Sequence, residues 1–386
     1  MENLTYKKSG VDYDAMDPFK KMCQIAGLET AQAFKVSSNH MRNILIEEYE
    51  KSRGESVYLQ RFAGVGDFLI AHVHEGLGTK NLVADAMYKI GGHSYYNCIA
   101  KDTIAMGAND MITLGALPTS IAMHLSVGRS DWFNDKRRVG DLIEGWKNGC
   151  IESGAIWGCG ETPTLKDVLL PEVAELSVSV VGLVEKRKLF ETSKIKDGDV
   201  ILLIESSGIH ANGLTLARKI AGMLPDGYMT PIDQHGQSFG EALLEPTVIY
   251  APFIQDWLSM GVDIHYAVNI TGHGWRKLMR APQNFSYIID KLPWQNPIFD
   301  FIKEKGNVTE EEMYGNYNMG AGFAVFLSEK DADSIIEFEK ENRFFPKHHD
   351  GRISVFKAGY IEKSDIKKVV IRPKNLEFAA DTLQVR

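Results

Sequence analysis

The 386-residue chain is 44% hydrophobic and 24% charged, a composition that supports a buried core in two ordinary domains or one large one. Its net charge of −8, with acids and bases interspersed, excludes a general nucleic-acid binder but not a protein that holds a small anion with a few cations and backbone amides. Cys23, Cys98, Cys150 and Cys159 form no CxxC pair, the opening MENLTYKKSGVDYDAMD lacks a signal core, and no apolar run reaches the roughly 18 residues of a membrane span, so a reduced, cytoplasmic protein is expected.

Strands are predicted at 66–75 (GDFLIAHVHE), 120–128, 175–186 and 198–208, from their apolar content and partial alternation. Helices are predicted between them at 94–115 and 137–154. A further helix at 211–224 puts Leu214, Ala217, Ile220, Ala221 and Leu224 on one face, with Asn212 as its cap. The charged stretch KRKLFETSKIKDGD (186–199) separates two apolar blocks and sets a domain boundary, giving 1–186 and 187–386. The second half reads as α/β, with a helix over about 240–260, the segment DIHYAVNITGHGW and a last strand at 322–328. The tail LEFAADTLQVR carries little signal, and no internal repeat is visible.

Four Gly-rich polar stretches stand at strand ends or helix starts. In EGLGTK (Glu75–Lys80), glycines permit close approach of backbone to an anion, with Lys80 and Thr79 as phosphate contacts. The order of residues does not match a Walker A loop, and a plain turn is the alternative. In AKDTIAMGANDM (100–111), Asp102 and Asn109 are seven apart and share a helix face, with Asp110 beside Asn109. Such acids suit either Mg²⁺ with substrate phosphate or helix-end capping. ESSGIHANG (205–213) joins an apolar strand to a helix start that favours an anion, with His210 as acid, base or donor. Ser206 and Ser207 lack the Gly-x-Ser-x-Gly context of a nucleophile. NITGHGW (269–275) suits either a ribose phosphate or a tight turn. His72 and His74 face the same side of a strand, as a metal pair or as ordinary packed or exposed histidines. Glu161 and Thr162 follow the glycines of WGCGET and offer a second cation or substrate contact.

Taken in order, YKKSGVDYDA (6–15), EGLGTK, DTIAMGANDMITLGALP, GCGET, VVGLVEK, GDVILLIESSGIHANGLTLARKI, LLEPTVIY, ITGHG and EMYGNYNMGAG (312–322) resemble the aminoimidazole ribonucleotide synthetase family, also called phosphoribosylformylglycinamidine cyclo-ligase. The resemblance spans about 6 to 360, and its specificity lies in the ordered set. It implies an α/β (α+β) fold of two domains, shared with selenophosphate synthetase, thiamine-monophosphate kinase, the hydrogenase-maturation carbamoyl dehydratase and formylglycinamidine ribonucleotide synthetase. The N-terminal domains of a homodimer would form a central β-barrel, beside a C-terminal α/β domain.

The implied cofactors are ATP and Mg²⁺, with a monovalent cation left open, and the implied partner is a small ribonucleotide. Neither nucleic acid nor membrane is expected as a partner. The nucleotide set would be Tyr6, Gly10, Asp12, Gly76, Gly78, Thr79, Lys80, Asn109, Asp110, Glu161 and Thr162. Glu75, Asp102 and Asp110 would hold the metal, while Lys80, Asp110 and His210 would act in the chemistry. Ser207, His210, Asn212, Thr271, Gly272, His273 and Gly274 would contact substrate.

The chain departs from the family pattern at the site. Glu75 stands where Asp is usual, and His273 stands where Gly is usual. The usual Gly-Gly-Phe-Gly loop is missing from 42–67, and the residues that usually follow GCGET are replaced. Two alternatives therefore accompany the cyclo-ligase reading: a paralogous ATP-dependent enzyme of the same fold, and a non-catalytic nucleotide-binding homologue. The selenophosphate branch is disfavoured by the missing Cys-Gly-Cys-type site, and the thiamine-phosphate kinase branch by ESSGIHANG and LLEPT.

Overall fold

The computed structural model describes residues 4–5, 7, 45–52, 55–63, 67–234, 236–342, 353–380 and 383. Tyr6, Gly10, Asp12 and Cys23 lie outside the described residues. The fold is mixed α/β and contains two sheets.

The first sheet holds β1 (Leu45–Glu48), β2 (Tyr58–Ala63), β3 (Phe68–Gly76), β4 (Leu117–Val127), β5 (Ile156–Glu161) and β6 (Ala174–Glu185), in the order β1-β2-β3-β6-β4-β5. Only the β4–β5 pair is parallel among these. The alternation of β3 is real: Leu69, Ala71 and Val73 are buried, while Phe68, His72 and His74 face out. Helices α1 (Lys80–Gly91), α2 (Tyr96–Met111) and α3 (Lys136–Glu152) follow, with α2 on β3 and β6 and α3 on α2. Gly107 makes the approach of α2 to the sheet feasible, because a Cβ there would sit 2.7 Å from Val180 Cγ2. α2 runs into a 3₁₀ turn, Ile112–Leu114, and stops at Gly115 with φ 81°.

The other face of this sheet is open. Phe68 is 50% exposed, Val181 39%, Leu183 41% and Ile156 73%. His72 pairs with Val181 and His74 with Ser179 on that face. His74 Nδ1 lies 2.7 Å from Ser179 Oγ. The histidines thus stand as exposed sheet residues, and no group of three or more His, Cys, Asp or Glu is arranged around a metal among the described residues.

The second sheet holds β7 (Val200–Glu205), β8 (Ile264–Asn269), β9 (Phe285–Ile289), β10 (Ala321–Leu327), β11 (Val355–Lys363), β12 (Lys368–Ile371) and β13 (Leu376–Ala379), in the order β13-β12-β9-β11-β7-β10-β8. β10 is buried throughout and β7 nearly so, which explains their continuous apolar runs. Helices α4 (Leu214–Ala221), α5 (Phe239–Leu243), α6 (Ala251–Ser259), α7 (Pro297–Gly306), α8 (Glu310–Asn316) and α9 (Glu329–Asn342) accompany it. Among the described residues, no helix is long and apolar enough to cross a membrane.

Three expectations change. The helix expected over 240–260 is two helices, α5 and α6. Pro246 offers no N–H, and the amides of Thr247 and Tyr250 bond to the side chains of Asp102 and Asn109 instead of to a helix. Asn212 does not cap α4, which begins after Gly213 at φ 81° with no side-chain cap bond. The strand at 321–327 is not the last: β11, β12 and β13 follow, and the four-residue β12 and β13 alternate too briefly to read from sequence.

Candidate active site between the two sheets

A helix turns about 100° per residue, so Asp102 and Asn109 lie on one face of α2 while Asp110 points elsewhere. The face shared by Asp102 and Asn109 meets the segment between α5 and α6. Lys80 opens α1 and is fully buried. Its Nζ lies 2.9 Å and 2.8 Å from the two oxygens of Asp102. It also donates to the carbonyls of His210 (3.1 Å) and Glu245 (2.7 Å). An ammonium has three donors, and here the protein takes all three. Asp102 Oδ1 accepts further from Thr247 N (2.8 Å) and Thr247 Oγ1 (2.5 Å). Asn109 donates to Val248 O and accepts from Tyr250 N, both at 2.8 Å.

Ser207 and His210 join the same seam. Ser207 Oγ donates to Pro246 O at 2.6 Å, and Ser207 N donates to His210 Nε2 at 3.3 Å. An Nε2 that accepts leaves the ring proton on Nδ1. The His210 backbone is left-handed at φ 60°, and its ring packs so closely on β10 that a Cβ on Gly322 would lie 2.6 Å from Cε1. Buried charges are tolerated only when paired, and Lys80 and Asp102 meet that condition through their ion pair, with Asp102 Oδ1 carrying the hydrogen bonds and Oδ2 accepting none.

Beside the seam lies a cavity of about 460 Å³. The β3–α1 turn contributes Glu75, Gly76, Leu77 and Gly78, and α2 contributes Met106 and Asp110. From the second half come Ala211, Asn212, Thr271, Gly272, His273, Lys277 and Arg280, with Leu383 at the edge and Glu55 and Ser56 completing the wall. Gly78 adopts φ 80° with nothing within 4 Å of an added Cβ, so backbone conformation rather than space calls for glycine there. After β8 the chain turns through two consecutive left-handed residues, His273 (φ 70°) and Gly274 (φ 51°). A Cβ on Gly274 would lie 2.3 Å from Tyr314 O. Asp110 Oδ1 accepts from Asn269 Nδ2 at 2.7 Å, which fixes one side of its carboxylate.

The structure therefore divides the expected site residues. Glu75, Gly76, Gly78, Asp110, Asn212, Thr271, Gly272 and His273 share the cavity, and Thr79 and Gly274 adjoin it in sequence. Lys80, Asp102, Asn109, Ser207 and His210 are not on the cavity wall but in the seam. Glu161 and Thr162 are exposed at β5. The register Gly76–Ser177–His124–Glu161 puts Glu161 three strands away, about 14 Å at ordinary strand spacing. Sequence reasoning missed Lys277, Arg280, Glu55 and Ser56. The readable signal was the three-residue spacing of Gly274, Lys277 and Arg280.

Of the three carboxylates on the cavity wall, Glu55 is engaged by Arg280 and the Tyr266 hydroxyl, and Glu75 and Asp110 suit Mg²⁺, which keeps waters and binds substrate phosphate. Burial, followed by the charge of Asp102, pushes the Cys98 thiol up to about 11, so it offers no thiolate near neutral pH.

Residues 196–346 match the family described as AIR synthase related protein, C-terminal domain. Over 367 residues the chain is 32% identical to a phosphoribosylformylglycinamidine cyclo-ligase of Carboxydothermus hydrogenoformans, covering 87% of this chain and 92% of that one. The phosphoribosylformylglycinamidine cyclo-ligase of Methanobrevibacter smithii is 33% identical, over 88% of this chain and 91% of that one. Among solved structures, the HypE-HypF complex superposes with a TM-score of 0.58 at 15% identity, covering 91% of this chain and 99% of that chain. T. maritima PurL complexed with ATP gives 0.51 at 16% identity, over 82% and 44%. At these identities the two structures speak to the fold alone.

Proposed function

The chain belongs to the phosphoribosylformylglycinamidine cyclo-ligase family of ligases, and from that premise we propose that it closes formylglycinamidine ribonucleotide to aminoimidazole ribonucleotide with conversion of ATP to ADP and phosphate. The observation that carries this reading is the single cavity that gathers the acidic turn after β3, Asp110 of α2 and the Thr271–Gly274 loop. That T. maritima PurL, which shares the fold, is complexed with ATP supports the nucleotide part.

The formyl oxygen of the substrate is a poor leaving group. Its attack on the γ-phosphorus of ATP forms the new P–O bond and releases ADP. The amidine nitrogen of the same molecule then attacks that carbon, a proton is lost from nitrogen, and the C–O bond breaks to release phosphate. The protein contributes position and electrostatics rather than a covalent intermediate. Glu75 and Asp110 would hold Mg²⁺, which supplies positive charge against the polyphosphate. Asn212 and the Thr271–Gly274 loop would orient the ribonucleotide. Lys80, Asp102, Asn109, Ser207 and His210 would act as positioning residues, fixing α1 and α2 against the loop after β7.

We assign residues 1–186 and 187–386 to two domains, because β6 ends at Glu185 and β7 begins at Val200. The exposed apolar residues Phe68, Val181, Leu183 and Ile156 support pairing of the first sheet with a second copy, and we place the enzyme in the cytoplasm. The direct test is ADP release by the purified chain, with and without formylglycinamidine ribonucleotide. ADP is expected only with the ribonucleotide and in step with product. Turnover driven by another small substrate would favour a paralogue, and ATP binding with no turnover a non-catalytic homologue.

A further inference from the structure

With Lys80 taken up by the seam, the only Lys or Arg side chains on the described cavity wall are Lys277 and Arg280. Both sit on the 3₁₀ turn Gly274–Met279 or directly after it. Three residues per turn stack positions 274, 277 and 280 on one side, so the turn that follows the Thr271–Gly274 loop also aims both cations at the cavity. Each is held in place. Lys277 Nζ donates to Thr271 Oγ1. Arg280 Nη1 donates to Ser56 Oγ at 2.5 Å, and its Nε lies 3.7 Å from Glu55 Oε2. Glu55 is itself anchored by the Tyr266 hydroxyl at 2.8 Å. Burial and then the Glu55 charge hold the Tyr266 phenol well above its usual range, so it remains a donor. The Arg280 side chain is 15% exposed and that of Glu55 5%, so the guanidinium is oriented before any ligand arrives.

The cavity thus carries two different provisions for anions. Glu75 and Asp110 suit a polyphosphate that arrives with its metal. A phosphate monoester carries a charge of about −1.5 to −2 and needs cations directly, a guanidinium fork for paired oxygens and an ammonium as a point charge. We infer that Lys277 and Arg280 bind the 5′-phosphate of the ribonucleotide, with Glu55 and Ser56 orienting Arg280. The inference rests on the ribonucleotide reading of this cavity. The γ-phosphate of ATP shares the same chemistry, and the experiment separates the two.

Lys277→Met and Arg280→Gln are compared with the parent enzyme for kcat, for KM toward formylglycinamidine ribonucleotide and toward ATP, and for calorimetric binding of ribose 5-phosphate. Each variant is expected to raise the ribonucleotide KM about 10- to 100-fold, with kcat and the ATP KM within about threefold, the signature of lost uniform binding. Lys277 is half-buried on a turn, so its variant reports even if Arg280→Gln lowers stability. A rise in the ATP KM with the ribonucleotide KM unchanged would assign the pair to ATP and overturn the inference, as would no change in either. If the parent enzyme fails to turn over the ribonucleotide but binds ribose 5-phosphate through these two residues, the cyclo-ligase reading falls and the inference stands. If neither turnover nor ribose 5-phosphate binding occurs, both fall.

Discussion

Two neighbouring regions use the same residue types for opposite ends. In the seam, Lys80 pairs with Asp102 and donates to the His210 and Glu245 carbonyls, Thr247 bonds Asp102, and Asn109 bonds the 248–250 backbone, with no donor of Lys80 left to offer a ligand. In the cavity, Glu75, Asp110, Lys277 and Arg280 line open space, with Glu55 set against Arg280. The change from one to the other takes a single step along α2, from Asn109 to Asp110, because the helix rotates the next side chain by about 100°. A charged residue in a Gly-rich motif is therefore no sign by itself of ligand contact. The seam fixes how α1 and α2 sit against the second sheet, and that placement sets the distance between the walls of the cavity.

The comparison is broken most severely at Lys80. Lys80→Met leaves the Asp102 carboxylate buried with Thr247 as its remaining donor, and the loss of one partner of such a pair costs about 3–5 kcal/mol. Urea unfolding should show that loss, and a second change of Asp102 to Leu should recover part of it. Unchanged stability with abolished turnover would instead make Lys80 a cavity cation. The smallest effect is expected at His273, which holds φ 70° without being glycine. His273→Gly relieves about 1 kcal/mol of backbone strain and should leave kcat within about threefold, with its main effect on ribonucleotide KM. Loss of turnover at saturating substrate would give His273 a chemical role.

The long strands β3 and β6 were legible from apolar alternation over many residues, β7 from a short continuous apolar run, and the helices α2 and α3 from long stretches with few breakers. The shared face of Asp102 and Asn109 was legible too, from seven-residue spacing alone. What meets that face was not, since Thr247 lies 145 residues from Asp102 in the chain. Pro246 marked the break between α5 and α6 in the sequence, but the distant side chains of Asp102 and Asn109 that accept the freed amides did not show there. Glu55 and Ser56 lie within 42–67, where the family's glycine loop is absent, so no motif marked them. The three-residue spacing of Gly274, Lys277 and Arg280 was in the sequence, but it acquired a meaning only once the turn after Gly274 proved to be a 3₁₀ helix with three residues per turn.

The most direct measurement sets two carboxylates of α2 against each other. Asp102→Asn and Asp110→Asn are compared by denaturant unfolding and by calorimetric titration with ATP in the presence and absence of Mg²⁺. The account predicts that Asp102→Asn lowers stability sharply, while Asp110→Asn folds normally and loses the Mg²⁺-dependent part of ATP binding. A stable Asp102→Asn variant that loses Mg²⁺-dependent binding, beside an Asp110→Asn variant that retains it, would contradict the division into seam and cavity.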